Sequence, residues 1–427
     1  MGAVRSELQA DAGRSTVTSE AVLDAALTLF AARGYHGTAL SGIAESLGIR
    51  TPSLYNHMRS KHQLLETIVE RTLDDVLADF HAAVDGVADP AERLRRATRV
   101  YALRHATHRR AALVVNRDTP SLAEPALSRL RARRRDHERE LRAIILDGTD
   151  TGAFRVGTPA LASFAILEMC VSIARWFRDG GERSAEQVAD TYSRFALQIA
   201  FGAGAPATGG YGGDPRERRE EDAALPRTGV PATHARTTVT SEAVVDTALT
   251  LFAQYGYHGT ALSQIAEALG VRTPSLYNHM RSKHELLRTI VDRTTAGVLD
   301  DFHAAVDDLT DPVERLRRAS LVYALRHATH RREAIVVNRD TASLEEPHRT
   351  ELQDRRREHE HAIRQIISDG VAAGVFEVDS PALASFAIRE MCVSIARWFR
   401  EDGPLPAEQV AEQYSLFALR IAGHIDA

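Results

Sequence analysis

Apolar residues recur every three to four positions over long stretches of the chain, the period of a helix with one buried face. The alternating pattern of a half-buried strand is almost absent, and Ala, Leu, Arg and Glu are abundant. Helix boundaries are marked. Thr18 is placed to cap a helix with Glu20 in its first turn, and Ser60 with Gln63, like Ser282 with Glu285, has capping-box spacing. Pro52, Pro90 and Pro159 sit where a first-turn proline is tolerated, and Gly48 follows a short helix. The most apolar stretch, from Pro159 to Phe177, is interrupted by Ser163, Glu168, Ser172 and Arg175, so a buried helix is expected rather than a membrane span. These patterns predict an all-α fold.

The pattern also repeats. TSEAVLDAALTLF at 18–30 returns as TSEAVVDTALTLF at 240–252, and the same offset of 222 positions links Tyr55 to Tyr277, Cys170 to Cys392 and Trp176 to Trp398. Two fused modules of about nine helices each are predicted, each long enough to bury its own core. The expected divisions are a loose arm at 1–16, a head of short helices at 17–65, a helical domain at 66–201, a flexible linker rich in Gly, Pro and charge at 202–238, a second head at 239–287 and a second helical domain at 288–427. In each module the last two helices, at about 159–178 and 185–201, then 381–400 and 406–422, are strongly apolar, which is compatible with their pairing as a four-helix bundle.

Composition narrows the classes. The 427 residues are 44% hydrophobic and 26% charged, as in globular protein, and a net charge of −5 requires any nucleic-acid surface to be local. Two cysteines exclude a disulfide framework and most structural zinc sites. No basic segment leads into an apolar run at the start, so a cytoplasmic chain is expected.

The segment TALSGIAESLGIRTPSLYNHMRSKHQLL (38–65) carries the functional signal. Leu40, Ile43, Ala44 and Leu47 share one face of a short helix, Gly48 makes a tight turn, and a second short helix opens at Thr51-Pro52 and carries Leu54. Two short helices joined by a glycine turn form a helix-turn-helix, whose second helix enters the major groove N-terminus first. Arg50, Thr51, Pro52 and Ser53 lie at that helix start, Tyr55, Asn56 and His57 offer further donors, and Lys61 and Thr38 stand near helix N-termini suited to phosphate. Each has a plainer alternative: Leu54, Ile43 and Leu47 as core, Tyr55 as packing, His57 and Asn56 as solvated side chains. The second module repeats the set as Thr260, Arg272, Thr273, Pro274, Ser275, Tyr277, Asn278, His279 and Lys283. RTPSLYNHMRSK is identical at 50–61 and 272–283. The modules differ at Gly42 and Gln264, and at Arg33 and Tyr255; Gln264 is a candidate phosphate contact or a solvated residue.

These residues resemble the TetR/AcrR family of bacterial transcriptional regulators. The match runs through Ala25-Ala26, Leu29-Phe30, Gly34-Tyr35, Thr38, Ile43-Ala44, Gly48, Leu54-Tyr55, His57, Ser60-Lys61 and Leu64-Leu65, and again 222 positions on. Met58 departs conservatively from the family's usual Phe, and two fused copies depart from its usual single one. The resemblance implies a DNA-binding head followed by a ligand-binding and dimerisation domain, here arranged as a pseudo-twofold dimer within one chain. The partners it implies are double-stranded operator DNA and a small-molecule effector, with no cofactor.

The later part of each module resembles family members that sense acyl-CoA thioesters, on Asn116-Arg117, the Arg-rich stretch 129–142, Gly148, Gly152-Ala153-Phe154, Met169 and Trp176. Candidate ligand residues are Tyr101, Asn116, Arg117, Met169 and Trp176, then Tyr323, Asn338, Arg339, Arg389, Met391 and Trp398. For Met169, Trp176 and Tyr101 core packing is the alternative, and for the Arg run a solvated helix face. Leu167 of the first module corresponds to Arg389 of the second, where an arginine on an apolar helix needs a partner: Glu390, water or an anionic ligand. His105 with His108, and His327 with His330, read as basic helix ends in preference to metal sites, and Cys170 and Cys392 as packing in preference to redox switches. No nucleophile and base pairing or phosphate-cradling glycine loop stands out, so no enzymatic activity is expected. The expectation is a ligand-released repressor; an activator, a ligand-independent repressor and a helical scaffold with decayed DNA binding are the alternatives.

Overall fold

The computed structural model describes residues 17–202 and 239–424, so the expected arm and nearly all of the expected linker lie outside the described residues. Among these, every regular element is helical. The first module runs α1 (Ser19–Arg33), α2 (Leu40–Ser46), α3 (Thr51–Leu54), α4 (Lys61–Val84), α5 (Pro90–Thr107), α6 (Arg109–Asp118), a 3-10 turn (Thr119–Ser121), α7 (Ala126–Asp150), α8 (Pro159–Trp176) and α9 (Ala185–Phe201). The second repeats it as α10 (Ser241–Tyr255), α11 (Leu262–Ala268), α12 (Thr273–Leu276), α13 (Lys283–Val306), α14 (Pro312–Thr329), α15 (Arg331–Asp340), a 3-10 turn (Thr341–Ser343), α16 (His348–Ala372), α17 (Pro381–Trp398) and α18 (Ala407–Ile421).

Local chemistry sets these boundaries. Thr18 accepts from the Ala21 amide and Thr240 from the Ala243 amide, satisfying first-turn donors. The expected capping boxes form with one change of register. Ser60 accepts from the Gln63 amide at 3.1 Å, but the Gln63 side chain reaches past it to the Arg59 amide at 2.7 Å. Ser282, Glu285 and Arg281 do the same. Helix α8 is apolar and long enough to span a bilayer by composition, yet 61% of it is buried within the protein, as suits a core helix.

The chain forms two compact units that cut across the repeat. Of the described residues, one comprises 17–82, Arg104–His137 and Ile173–Arg178; the other comprises Ala83–Leu103, Glu138–Ser172, 179–202 and 239–424. In the first unit, Val22, Ala26 and Phe30 of α1 close over Ile43 and Ala44 of α2, Leu54 of α3, Leu64, Leu65 and Ile68 of α4, and Val114 and Val115 of α6. Each Val, Leu, Ile or Phe among them contributes about 1.5–3 kcal/mol on burial. This core also takes in Val114 and Val115 of α6, which follows the head in sequence. The second unit contains the same core in the second module, from Val244, Ala248 and Phe252 to Ile265, Leu276 and Val336.

The second unit also holds α9 of the first module against α17 and α18 of the second. Tyr192, Phe195, Tyr414 and Phe417 are sealed from solvent in this region. Arg420 donates to the Ile199 carbonyl at 2.8 Å, and Thr158 to the Gln413 side chain at 3.0 Å. Arg194 pairs with Asp379 at 2.6 Å and Arg397 with Glu168, while Phe164 stacks on Trp398 with ring centroids 5.0 Å apart. A Cβ at Gly202 would overlap the Arg420 guanidinium, so glycine makes room for it.

Candidate nucleic-acid interface

Helix α2 ends at a glycine turn. Gly48 has φ +66, its amide donates to the Glu45 carbonyl at 3.0 Å, and the Ile49 amide reaches Ala44 at 3.0 Å. That left-handed residue turns the chain sharply enough to aim α3 away from α2. α3 is a single turn with its proline in the first positions, extended by the bonds from the His57 and Met58 amides to the Leu54 carbonyl. Leu54 and Met58 face the core, which forces Arg50, Pro52, Tyr55 and Asn56 outward. Tyr55 is 56% exposed, and Tyr277 of the second module has the same value. Neither tyrosine is packed in the core of its module. Thr51, Ser53 and His57, with Thr273, Ser275 and His279, are partly exposed on the same turn. Lys61 lies 4.3 Å over the Tyr35 ring and Lys283 the same distance over Tyr257. Partial burial lowers both lysine pKa values, opposed by the charge of Asp118 or Asp340.

Three groups of expected contacts are placed otherwise. Thr38 and Thr260 are buried, and each hydroxyl donates to carbonyls of the preceding helix and turn, at 2.8 Å to Gly34 and to Gly256. Their hydroxyls fix the entry into the helix-turn-helix and are not presented to phosphate. The Gln264 side chain accepts from the Ala261 amide at 2.7 Å and so closes its own helix start. Arg117 and Arg339, read from sequence as ligand residues, grip the DNA head. Arg117 donates to the Phe30 and Ala31 carbonyls at the end of α1 and pairs with buried Asp118 at 2.9 Å; Arg339 does the same with Phe252, Ala253 and Asp340. Spent in this way, the two guanidiniums are struts. Arg110 to Thr28 at 2.6 Å, Arg332 to Thr250 at 2.8 Å, and His62 accepting the Ala123 amide at 3.0 Å add to the same grip. None of these struts has a sequence signal, since each joins residues about 60 to 90 positions apart.

The other candidate ligand residues scatter. Met169 and Met391 are fully buried core. Asn116 accepts from Arg134 at 3.0 Å, and Asn338 donates to the Ala334 carbonyl at 2.8 Å. Tyr101 and Trp176 are half-buried, and Trp398 donates to Ser394 at 3.3 Å beside its stack on Phe164. Tyr323 is buried 4.5 Å from the His327 ring and 4.9 Å from the His359 ring, with Arg389 beside it. Burial pushes His327 down to about 4 and His359 down to about 3, the Arg389 charge adding to both. A cavity of about 540 Å³ lies elsewhere in the second unit, between α9 and α18, lined by Arg155, Arg194, Arg420, Glu377, Asp379 and His424. Its walls carry both signs of charge, and none of the candidate ligand residues lines it. His105 and His327 are buried while His108 and His330 are exposed, and among the described residues no three metal-ligating side chains cluster. Burial raises the thiols of Cys170 and Cys392, which favours the packed, protonated form.

Among the described residues the chain is helical and twice presents a solvent-facing one-turn helix from a helix-turn-helix, the arrangement of a DNA-binding head. Family models agree: "Bacterial regulatory proteins, tetR family" matches residues 22–68 and 244–290, and "Tetracyclin repressor-like, C-terminal domain" matches 87–200 and 309–422. These matches cover more than half of the chain, which belongs to the TetR family, with both domains present twice. It is similar to the HTH-type transcriptional repressor KstR2 of Mycobacterium tuberculosis, 29% identical over 183 residues that span 41% of this chain and 89% of that protein. One relative's length therefore matches one module. It is also similar to the HTH-type transcriptional activator FasR of Mycolicibacterium smegmatis, 32% identical over 80 residues, 19% of this chain and 36% of that one. A solved bacterial regulatory protein of the tetR family from Rhodococcus RHA1 is 28% identical with a TM-score of 0.41, covering 44% of this chain and 99% of that one.

Proposed function

We propose that the chain is a cytoplasmic, non-enzymatic repressor that binds a near-palindromic operator as a single-chain pseudo-dimer and is released by a small-molecule effector of the acyl-CoA class. The observation that carries this is the twelve-residue segment RTPSLYNHMRSK, unchanged in both modules, with its tyrosine equally exposed in each. Identical reading heads select similar half-sites, and a covalent tether replaces dimerisation by an effective concentration of order mM. The contacts of α9 with α17 and α18 support pairing of the modules within one chain. Arg50, Ser53, Tyr55, Asn56, His57 and Lys61, with their counterparts, are the proposed DNA contacts. Repression is supported by the KstR2 relatives, and the effector class by the resemblance on Gly148, Gly152-Ala153-Phe154 and the arginine-rich α7. The FasR relative favours an activator as the second reading.

The test is selection of duplexes from a random pool by the full chain, followed by anisotropy and sedimentation. Expected are an inverted-repeat motif, one chain per duplex, and at least tenfold weaker binding by Tyr55→Ala with Tyr277→Ala. The salt slope should change by about 0.9 for each phosphate contact removed. Decanoyl-CoA should weaken operator binding by about 5- to 150-fold. No enrichment over heparin as competitor overturns the regulator reading, and a stable dimer of chains without DNA overturns the single-chain version. A motif bound with no change in downstream transcription except an increase selects the activator.

A further inference from the structure

The core of the second module contains a cation that the first lacks. Arg389 stands on α17 where α8 has Leu167, although the flanking residues Phe386 and Ala387, Glu390, Met391 and Cys392 keep their counterparts. Arg389 is half-buried and its Nε is sealed from solvent with no hydrogen-bond partner. Arg93, Arg104, Arg315 and Arg326 also have a buried, unpartnered Nε, but each reaches an aspartate through another nitrogen. The guanidinium of Arg389 hydrogen-bonds to the Tyr323 side chain, a neutral acceptor. Of the two carboxylates whose charge acts on it, Glu390 is its neighbour on α17, and Glu360, the weaker, is committed to Arg364 and to Ser385, the latter at 2.7 Å. The imidazoles of His327 and His359 close the same space, and His359 Nε2 is buried without a partner.

An arginine stays charged at any relevant pH, and burying its charge without a matched anion is costly. A planar fork beside a phenol and an imidazole matches a carboxylate, which accepts two parallel N–H bonds. The helix that carries it is otherwise apolar, with Ile388, Met391 and Cys392 buried, which suits an apolar body attached to that carboxylate.

We propose that the effector cores of the two modules have diverged in ligand chemistry: the second recognises an apolar molecule carrying a carboxylate through Arg389, with Tyr323 and His359 beside it, and the first does not. This rests on the reading that these helices hold an effector, and the test separates the two. The chain has two tryptophans, Trp176 and Trp398, so Trp176→Phe leaves Trp398 on α17 as the sole reporter. Its fluorescence is titrated without DNA using decanoate, decanol and decanoyl-CoA. Expected is at least tenfold tighter binding of decanoate than of decanol, an equal affinity for the two in Arg389→Leu, and a retained preference in Arg389→Lys. Leucine is the first module's own residue at this place, and Arg389→Lys keeps the experiment decisive should Arg389→Leu fold poorly. Equal affinity for decanoate and decanol in the Trp176→Phe chain, or a preference untouched by Arg389→Leu, overturns the proposal. Release of operator by decanoyl-CoA with no carboxylate preference would leave the effector reading standing and sink this one.

Discussion

At the residue scale, the arginines show how little a side chain's chemistry says without its partners. Arg117 and Arg339 occur beside asparagine in a stretch that resembles a ligand domain, yet each ties α6 or α15 to the last carbonyls of α1 or α10. Nothing in the local pattern announces a bond to a carbonyl 87 positions earlier. Replacing Arg117 by Met leaves buried Asp118 and a helix end without their donor, and should cost about 1–3 kcal/mol by urea unfolding. The same change at Arg339 should cost as much. Tyr55 was legible because an aromatic residue follows the buried Leu54 on a four-residue helix, whereas the burial of Thr38 was not, because its acceptor carbonyls are set by the turn. The histidines carry a pH dependence. His327 and His359 have folded pKa values of about 4 and about 3, below the unfolded value, so the unfolded chain takes up protons first. Their contribution to stability is complete above pH 6.5 and is lost as pH falls toward those values, by at most about 1.4 kcal/mol per histidine per unit. Unfolding midpoints should drop from pH 7 to pH 5, and a flat profile would contradict the burial.

At the element scale, the helix-turn-helix depends on one backbone conformation. Gly48 and Gly270 have φ +66 and +68 with open space around them, so a methyl group would meet no neighbour and any penalty is conformational. Gly48→Ala should therefore destabilise by about 1–2 kcal/mol and weaken DNA binding by tilting α3, as thermal melts and anisotropy would register. Helix starts were readable from Thr18, Ser60 and the prolines, because capping is a local interaction. The capping glutamine and glutamate bond one residue earlier than the usual box, a detail fixed by the path of the incoming chain. The pairing of α9 with α18 follows from the family resemblance, with which their apolar content is compatible; its specific bonds, such as that from Arg420 to Ile199, lie in geometry.

At the scale of the whole molecule, the repeat was visible at once, and the compact units were not. The first module is shared between them because α1 packs on α6 in one and α9 packs on α18 in the other, and sequence periodicity carries no record of either choice. If both heads act in one chain, a chain with Tyr55→Ala mixed with a chain with Tyr277→Ala should not recover operator binding in an anisotropy assay. Recovery would mean that heads are exchanged between chains.

The fit of Arg420 into the space above Gly202 makes the two modules complementary instead of interchangeable. The first module has Gln198 where the second has Arg420, and the second has His424 where the first has Gly202. Two second modules brought together in this way would set an imidazole in the place that the guanidinium requires, and two first modules would have no guanidinium to fill it. Under the single-chain reading, the two modules expressed separately should pair with each other in preference to themselves, as sedimentation of the mixture would register.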